Sequence, residues 1–140
     1  MTDSVAFAGQ AAGVSVSKGV WTGRVLSGLA VAFLTFDAVG KLLQLAPVIE
    51  GTAQLGYPES TILPMGVLLV IGLVLYLVPR TSVLGAIFLT GFLGGAVATH
   101  VRVGNPLATH TLFPTYVAAL LWGGLALRRP AVRAVLLGEK

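Results

Sequence analysis

The stretch ILPMGVLLVIGLVLYLV at residues 62–78 contains no charged residue. A helix needs about 17 to 25 mostly apolar residues to cross the roughly 30 Å hydrocarbon core of a bilayer, and this stretch meets that length. Three more segments of similar length and polarity lie at residues 20–46, 82–99 and 111–127. We therefore predict an all-α fold, an integral membrane protein built as a four-helix transmembrane bundle.

The composition excludes several classes of function. Hydrophobic residues make up 56% of the 140 residues and charged residues 10%, against about 25% charged residues in soluble domains. The chain has no cysteine, which excludes disulfides, thiolate catalysis and iron–sulfur ligation by this chain. Its net charge of +4 is scattered over the segment ends and forms no nucleic-acid-binding motif, so we expect no nucleic-acid partner.

Four crossings place both chain ends on the same side of the membrane. That side carries most of the basic residues, and the other side carries only Lys41 and Arg102. By the positive-inside rule we expect both termini to be cytoplasmic. The basic residues of the cytoplasmic side are Lys18, Arg24, Arg80, Arg128, Arg129, Arg133 and Lys140.

We divide the chain into three parts. Residues 1–17 are predicted to form a mobile tail, residues 18–129 the transmembrane domain, and residues 130–140 a basic amphipathic tail. That last tail is expected to lie on anionic lipid with Val132, Val135 and Leu136 toward the acyl chains, the alternative being a frayed and solvated end. Residues 50–60 have turn chemistry and connect the first two spans.

Ionisable residues from three spans are expected at one depth. Asp37 lies about 24 Å along the helix from Trp21, and Lys41 stands one turn further on the same face, which Gln44 extends. His100 reaches that level at the end of the third span and His110 leaves it at the start of the fourth. An ionisable side chain inside a membrane points to function, although an Asp37–Lys41 pair can also serve packing alone.

The remaining polar residues of this region have structural roles as an alternative to functional ones. Either histidine can simply satisfy backbone carbonyls or meet lipid headgroups, and Arg102 is expected at the rim, reaching headgroups or pairing with Glu50. No further ligands at suitable spacing support a metal or haem site on the histidines, so we assign no metal and consider haem disfavoured.

A strip of small residues marks the third span. Gly91, Gly95 and Thr99 share one face and are predicted to allow close helix packing within the bundle, or alternatively to form a homodimer seam. Residues 122–124, WGG, are the predicted partner surface in the fourth span.

The chain resembles the DoxX-like family, small bacterial four-helix membrane proteins of the wider DoxX group. The likeness covers residues 20–129 and is most specific at Asp37 with Lys41, at Gly56-Tyr57-Pro58, at Pro79-Arg80-Thr81 and over residues 94–100. It implies the inner (cytoplasmic) membrane of a bacterium. The family name is tied to a membrane subunit of a thiosulfate:quinone oxidoreductase and to complexes that counter oxidative stress, but it carries over no catalytic residues.

Three functional hypotheses follow. In the first, the chain binds a small amphipathic or quinone-like ligand between its helices as a component of membrane redox chemistry, an oxidoreductase role in which Asp37 and His100 handle protons. The second is a non-catalytic anchor or assembly subunit that docks other membrane subunits, and the third is an acid–base isomerase of a lipid-like substrate. The predicted ligand-binding residues are Lys41, Gln44, Arg102, His110 and Tyr116.

Overall fold

Four long helices and two short ones make up the described part of the chain. The computed structural model describes residues 16–140. The long helices are α1 (Lys18–Leu42), α3 (Ile62–Leu77), α4 (Ser82–Arg102) and α5 (Phe113–Arg128), and the short ones are α2 (Ala46–Gln54) and α6 (Pro130–Leu137). A 3-10 turn, Glu59–Thr61, precedes α3 and a π-helical turn, Leu107–Thr111, precedes α5.

The four long helices confirm the predicted membrane architecture. Within residues 16–140, four segments are long and apolar enough to cross a bilayer: Lys18–Leu42, Glu59–Leu77, Ser82–Arg102 and Leu107–Arg128. The tail predicted over residues 1–17 lies outside the described residues except for Val16 and Ser17. Ser17 caps α1, because its Oγ accepts a hydrogen bond of 3.2 Å from the Val20 amide.

The long helices form a ring in which α1 packs against α3 and α5, and α4 packs against the same two helices. The core runs along the ring's centre, with Leu34, Leu69, Leu89 and Leu121 almost fully buried. Each end of the bundle contains two helix starts and two helix ends. We call the end with the start of α1 the terminal end, and the end with the start of α5 the cavity end.

The outer surface of the bundle is as apolar as its core. On α3 alone, Leu63, Val67, Leu68, Ile71 and Val74 are exposed, and no charged residue lies between them. A helix that is apolar all round is stable at a surface only where lipid replaces water. The exposed side chains are therefore the lipid-contacting surface of a multi-pass membrane protein.

Close helix crossings occur at glycines of α1, α3, α4 and α5. A Cβ on Gly124 of α5 would lie 2.2 Å from Ser27 Oγ and 2.8 Å from the Gly23 carbonyl oxygen of α1. A Cβ on Gly85 of α4 would lie 2.2 Å from the Tyr76 amide nitrogen of α3. The backbones approach this closely only because side chains are missing there.

The predicted packing of the strip Gly91, Gly95 and Thr99 inside the bundle is wrong for its two glycines, whereas Thr99 is buried. A Cβ on either glycine would meet nothing within 4 Å, and both residues are exposed. The glycine of the fourth span that does pack, Gly124, meets α1 instead of α4. The close crossings lie between α1 and α5 and between α3 and α4. In the middle of α4, the exposed Gly91 contacts no neighbouring helix, and Gly95 lines the cavity described below.

The first span ends four residues earlier than predicted. Gln44 takes a left-handed backbone conformation with φ of 49°, which no helix interior tolerates. The chain then turns at Leu45 and starts α2, where Pro47 occupies the first turn and its missing amide hydrogen costs nothing. Residues 46–54, assigned in part to a turn-rich connection from sequence, are therefore helical.

The C-terminal tail forms the predicted short helix, α6. Val135 is 82% exposed, and Leu136 is exposed as well. Val132, expected on the same lipid-facing side, instead packs against the bundle core. The helix thus touches the bundle through Val132 and turns three large apolar side chains outward, those of Val135, Leu136 and Leu137.

A polar network joins three helices near the terminal end. Tyr76 Oη donates a 2.8 Å hydrogen bond to the Leu121 carbonyl, so the 2.7 Å contact between Ser27 Oγ and Tyr76 Oη is donated by the serine. Arg128 donates to Ser27 Oγ at 2.9 Å and to the Gly124 carbonyl at 3.1 Å. The network ties α1, α3 and α5 together inside apolar surroundings.

Candidate functional site

A cavity of about 370 Å³ lies among the helices at the cavity end of the bundle. Residues of α1, α3, α4 and α5 form its walls, and residues of α2 and of the α2–α3 connection form its roof. Most of the lining is apolar, and the polar groups are few. The lining residues are Phe33, Leu34, Asp37, Lys41, Thr52, Leu55, Tyr57, Met65, Phe92, Leu93, Gly95, Ala96, Thr99, His100, Phe113 and Pro114.

Asp37 and Lys41 form an ion pair on the α1 wall of this cavity. The Lys41 ammonium group contacts Asp37 Oδ1, as the spacing of four residues predicts. The lysine side chain is 14% exposed and the aspartate side chain 30% exposed. Because each charge has its counter-charge one helical turn away, the pair supplies polar atoms to the cavity without adding net charge.

His100 faces the same cavity from α4. Its ring is half-buried, and Asn105 Nδ2 donates a 2.7 Å hydrogen bond to His100 Nδ1. A nitrogen that accepts a hydrogen bond carries no proton, so the proton of the neutral ring is on Nε2. The loop after α4 thus sets which nitrogen of His100 is the donor.

Tyr57 and Thr99 close the roof of the cavity. Thr99 Oγ1 donates a 2.9 Å hydrogen bond to the Gly95 carbonyl. The hydroxyl has a single proton, so the 2.7 Å hydrogen bond between Tyr57 and Thr99 is donated by Tyr57 Oη. The roof is therefore fastened to α4 beside His100, and the tyrosine oxygen keeps lone pairs that can accept from a ligand.

Arg102 lies behind the roof and is absent from the cavity lining. Its guanidinium donates to the Leu55 carbonyl and stands 5.9 Å from the centre of the Tyr57 ring. The sequence offered two alternatives for Arg102, contact with headgroups or an ion pair with Glu50. The ion pair is not formed, and the guanidinium contacts the backbone and the aromatic ring instead. Its role in the structure is to position Tyr57.

Three other residues predicted to bind ligand also lie off the cavity lining. Gln44 is exposed beyond the end of α1, so it does not extend the face of Asp37 and Lys41. Tyr116 is exposed and donates a 3.0 Å hydrogen bond to the Ala108 carbonyl. His110 is exposed in the π-helical turn, with its ring 6.1 Å from that of His100.

Sequence reasoning did not select Tyr57, Thr99 or the aromatic lining residues Phe33, Phe92 and Phe113. The signal for Tyr57 was the Gly56-Tyr57-Pro58 sequence, since Gly56 has a φ of 82° that places the tyrosine in a tight turn. For Thr99 the sequence predicts helix packing, because it shares a face with Gly91 and Gly95. The phenylalanines carry no sequence signal that separates them from core or lipid-facing residues.

No metal centre is formed by the described residues. Within residues 16–140, no group of three His, Asp or Glu side chains stands close enough to hold a metal ion. The polar atoms of the cavity are an ion pair, an imidazole and hydroxyls, which are groups that bind an organic molecule through hydrogen bonds.

The family follows from a comparison with known families. The model of the DoxX-like family matches residues 25–124. The chain belongs to the DoxX-like family. No curated protein and no solved structure matches it. All the cavity-lining residues of this DoxX-like protein fall inside the matched segment, whereas Arg24, Arg128 and α6 lie outside it.

Proposed function

We propose that this DoxX-like membrane protein binds a small amphipathic molecule, with a quinone as the candidate ligand, in the cavity among its helices. The observation that carries the proposal is that Asp37, Lys41 and His100, from two different helices, line one cavity that is otherwise apolar. Binding sites for small molecules combine mostly apolar walls with a few convergent polar groups, and they commonly occupy about 300 to 1,000 Å³.

The polar part of the cavity suits the head of a quinone. Quinone carbonyl oxygens accept hydrogen bonds, and an ammonium group such as Lys41 has three N–H donors, of which Asp37 takes one. His100 adds an Nε2–H donor from the opposite helix. The residues of the cavity thus provide donors on two sides of a flat ring.

The apolar part suits the ring and the start of a hydrocarbon tail. Phe33 and Phe113 stand edge to face with their ring centres 5.0 Å apart, and Phe92 lines the cavity from α4. Aromatic side chains pack well against a planar ring. Gly95 is exposed and also lines the cavity, which gives a tail a way out toward lipid beside α4.

In this proposal the chain is a component of membrane redox chemistry. A bound quinone accepts or donates electrons, and a redox centre in a partner subunit donates or accepts them in turn. This chain positions the quinone head and transfers its protons. Asp37 and His100 are the groups proposed for proton transfer, since both line the cavity and a carboxylate and an imidazole exchange protons readily.

We further propose that the protein lies in a bacterial inner membrane with both termini in the cytoplasm. The supporting feature is the basic terminal end, where Arg24, Arg80, Arg128 and Arg129 cluster, while the cavity end has Lys41 and Arg102. The ligand head would then lie near the outer leaflet.

The test is a titration of the purified full-length protein, in mild detergent, with a short-tailed ubiquinone or menaquinone analogue. Binding is measured by equilibrium dialysis and by the shift of the unfolding temperature. Gly95→Leu fills the cavity, because nothing lies within 4 Å of a Cβ at this position. Gly91→Leu is the matched control, since it lies one turn earlier on α4 with equally open space and lines no part of the cavity.

We expect saturable binding to the unmodified protein and to Gly91→Leu, and loss of most binding in Gly95→Leu. Absence of binding to the unmodified protein would overturn the quinone assignment. Equal binding by both leucine variants would place any bound quinone outside this cavity. Recovery of the ligand-free chain only in a complex with other membrane proteins would favour the anchoring role instead.

A further inference from the structure

A second, smaller cavity lies at the terminal end of the bundle, on the far side from the proposed quinone site. It has a volume of about 210 Å³ and opens between α1, α3 and α5. Its polar side carries two arginines, a tyrosine hydroxyl and a serine hydroxyl, and its other side is apolar. The lining residues are Arg24, Ser27, Gly28, Val31, Tyr76, Leu77 and Arg128.

Arg128 is held in place with part of its guanidinium available. Its Nε donates to the Gly124 carbonyl, and its Nη2 donates to Ser27 Oγ and, at 3.4 Å, to Tyr76 Oη. The guanidinium also stands 6.0 Å from the centre of the Tyr76 ring. A guanidinium has five N–H groups, so the two on Nη1 remain for another acceptor.

The cavity has no carboxylate in its lining to match its two cations. The ion pair found within residues 16–140, Asp37–Lys41, lies at the other end of the bundle. The cavity is therefore positively charged, and it lies at the end of a membrane span, where the phosphates of a lipid leaflet are found. Guanidinium groups bind phosphate oxygens with paired, charge-assisted hydrogen bonds.

The α1 face that leads away from the arginines is suited to a hydrocarbon chain. Arg24, Gly28 and Val31 are spaced by four and three residues and so lie on one helix face, over about 10 Å of helical rise. Gly28 is exposed with nothing within 4 Å of a Cβ, and Val31 is half-buried. The apolar side of the cavity thus follows α1 along the direction of the span.

We propose that this cavity binds the phosphate group of an anionic membrane lipid, with Arg24 and Arg128 on the phosphate and an acyl chain along Gly28 and Val31. Basic pockets between transmembrane helices are suited to anionic lipid headgroups. The lipid would join α1, α3 and α5 at the point where their polar network ends. Arg24 and Arg128 lie just outside the segment matched by the family model, whereas the other lining residues lie inside it.

The experiment measures lipid binding to the purified full-length protein by native mass spectrometry in mild detergent. The probes are phosphatidylglycerol, phosphatidylcholine with the same acyl chains, and inorganic phosphate. Arg24→Gln is the main variant, because Arg128 also joins helices and its replacement tests folding as well as binding. Gly28→Leu fills the apolar side of the cavity, and Arg80→Gln is the control, an exposed arginine at the same end that lines no part of the cavity.

We expect phosphatidylglycerol to bind in a saturable manner and more tightly than phosphatidylcholine. Arg24→Gln should weaken this binding about fivefold, the loss expected for one basic residue near an anionic lipid. Gly28→Leu should also weaken it, and Arg80→Gln should leave it unchanged.

Three results would overturn the proposal. Equal binding of the two lipids would show that charge at the headgroup is not recognised. Equal weakening by Arg80→Gln would show general attraction to a basic surface. Binding of inorganic phosphate as tight as that of the lipid, unaffected by Gly28→Leu, would show a phosphate site without a lipid. Since the two cavities lie at opposite ends, quinone titration of Arg24→Gln separates failure of this proposal from failure of the proposed function.

Discussion

The hydroxyl groups of Tyr57 and Thr99 lie 2.7 Å apart and join the α2–α3 connection to α4 above the cavity. Arg102, one turn after Thr99 on α4, contacts both the Tyr57 ring and the Leu55 carbonyl. One segment of α4 therefore positions the cavity roof through two side chains and also provides His100 to the wall. The shape of the cavity depends on this attachment as much as on the packing of the four long helices.

Tyr57→Phe should lower stability by about 1 kcal/mol, the usual net value of one hydrogen bond. Thr99 keeps its own bond to the Gly95 carbonyl, so no buried donor is left without a partner. The measurement is the unfolding free energy from denaturing-detergent titration. Tyr116→Phe is the control, because Tyr116 and Ala108 are both exposed and water can take the place of the lost hydroxyl at the Ala108 carbonyl. Equal losses of stability in the two variants would show that the Tyr57 bond does not stabilise the roof.

Gly124→Ala should destabilise the bundle by about 1 to 3 kcal/mol through overpacking. Its Cβ would meet the Ser27 amide nitrogen at 2.7 Å and the Gly23 carbonyl oxygen at 2.8 Å, and neither backbone atom can move aside alone. Gly123→Ala is the control, because its nearest neighbour would be Leu26 Cδ1 at 3.7 Å, an ordinary contact. Thermal unfolding of the two variants measures the difference. Similar unfolding temperatures would contradict the close crossing of α1 and α5.

The charges of Asp37 and Lys41 should be coupled. Asp37→Asn leaves the largely buried Lys41 ammonium without its counter-charge and should destabilise the protein more than the double variant with Lys41→Gln. A double-mutant cycle of unfolding free energies should give a coupling of about 1 to 3 kcal/mol. Additive effects of the two substitutions would show that the pair is not a stabilising contact.

The two ends of the bundle should label from opposite sides of the membrane. The chain has no cysteine, so a single one at Gln54→Cys reports the cavity end and one at Lys140→Cys reports the terminal end. Both positions are exposed. In spheroplasts of a bacterial host, a membrane-impermeant maleimide should modify Gln54→Cys directly, and Lys140→Cys only after the cells are permeabilised. The reverse pattern would contradict cytoplasmic termini.

The membrane spans followed from sequence because hydropathy is a local property. The segment predicted at residues 62–78 is helical over Ile62–Leu77, and the one at 82–99 over Ser82–Arg102. The Asp37–Lys41 pair was predictable for the same reason, since a spacing of four residues on a helix brings two side chains together whatever surrounds them. The end of the first span was predicted too late, because it depends on the positive φ of a single residue, Gln44.

The faces of the helices could not be assigned in this way. In a water-soluble protein polarity separates the inside from the outside, but in a membrane the core and the lipid-facing surface are equally apolar. The sequence therefore offered the Gly91–Gly95 strip and Gly124 as equivalent packing surfaces, although Gly91 is open and Gly124 is in tight contact. Of the tyrosines near the cavity end, Tyr116 was predicted to bind ligand, yet it lies on the surface, whereas Tyr57 lies in the cavity roof.

The sequence by itself determined an all-helical membrane protein with four spans and an ion pair near the end of the first. The tertiary structure decided which residues meet: the cavity that joins Asp37, Lys41 and His100, its roof at Tyr57, and the close crossings at Gly124 and Gly85. The physical reason is that helix formation and hydropathy depend on neighbours in the chain, whereas helix rotation inside lipid depends on shape complementarity between distant segments.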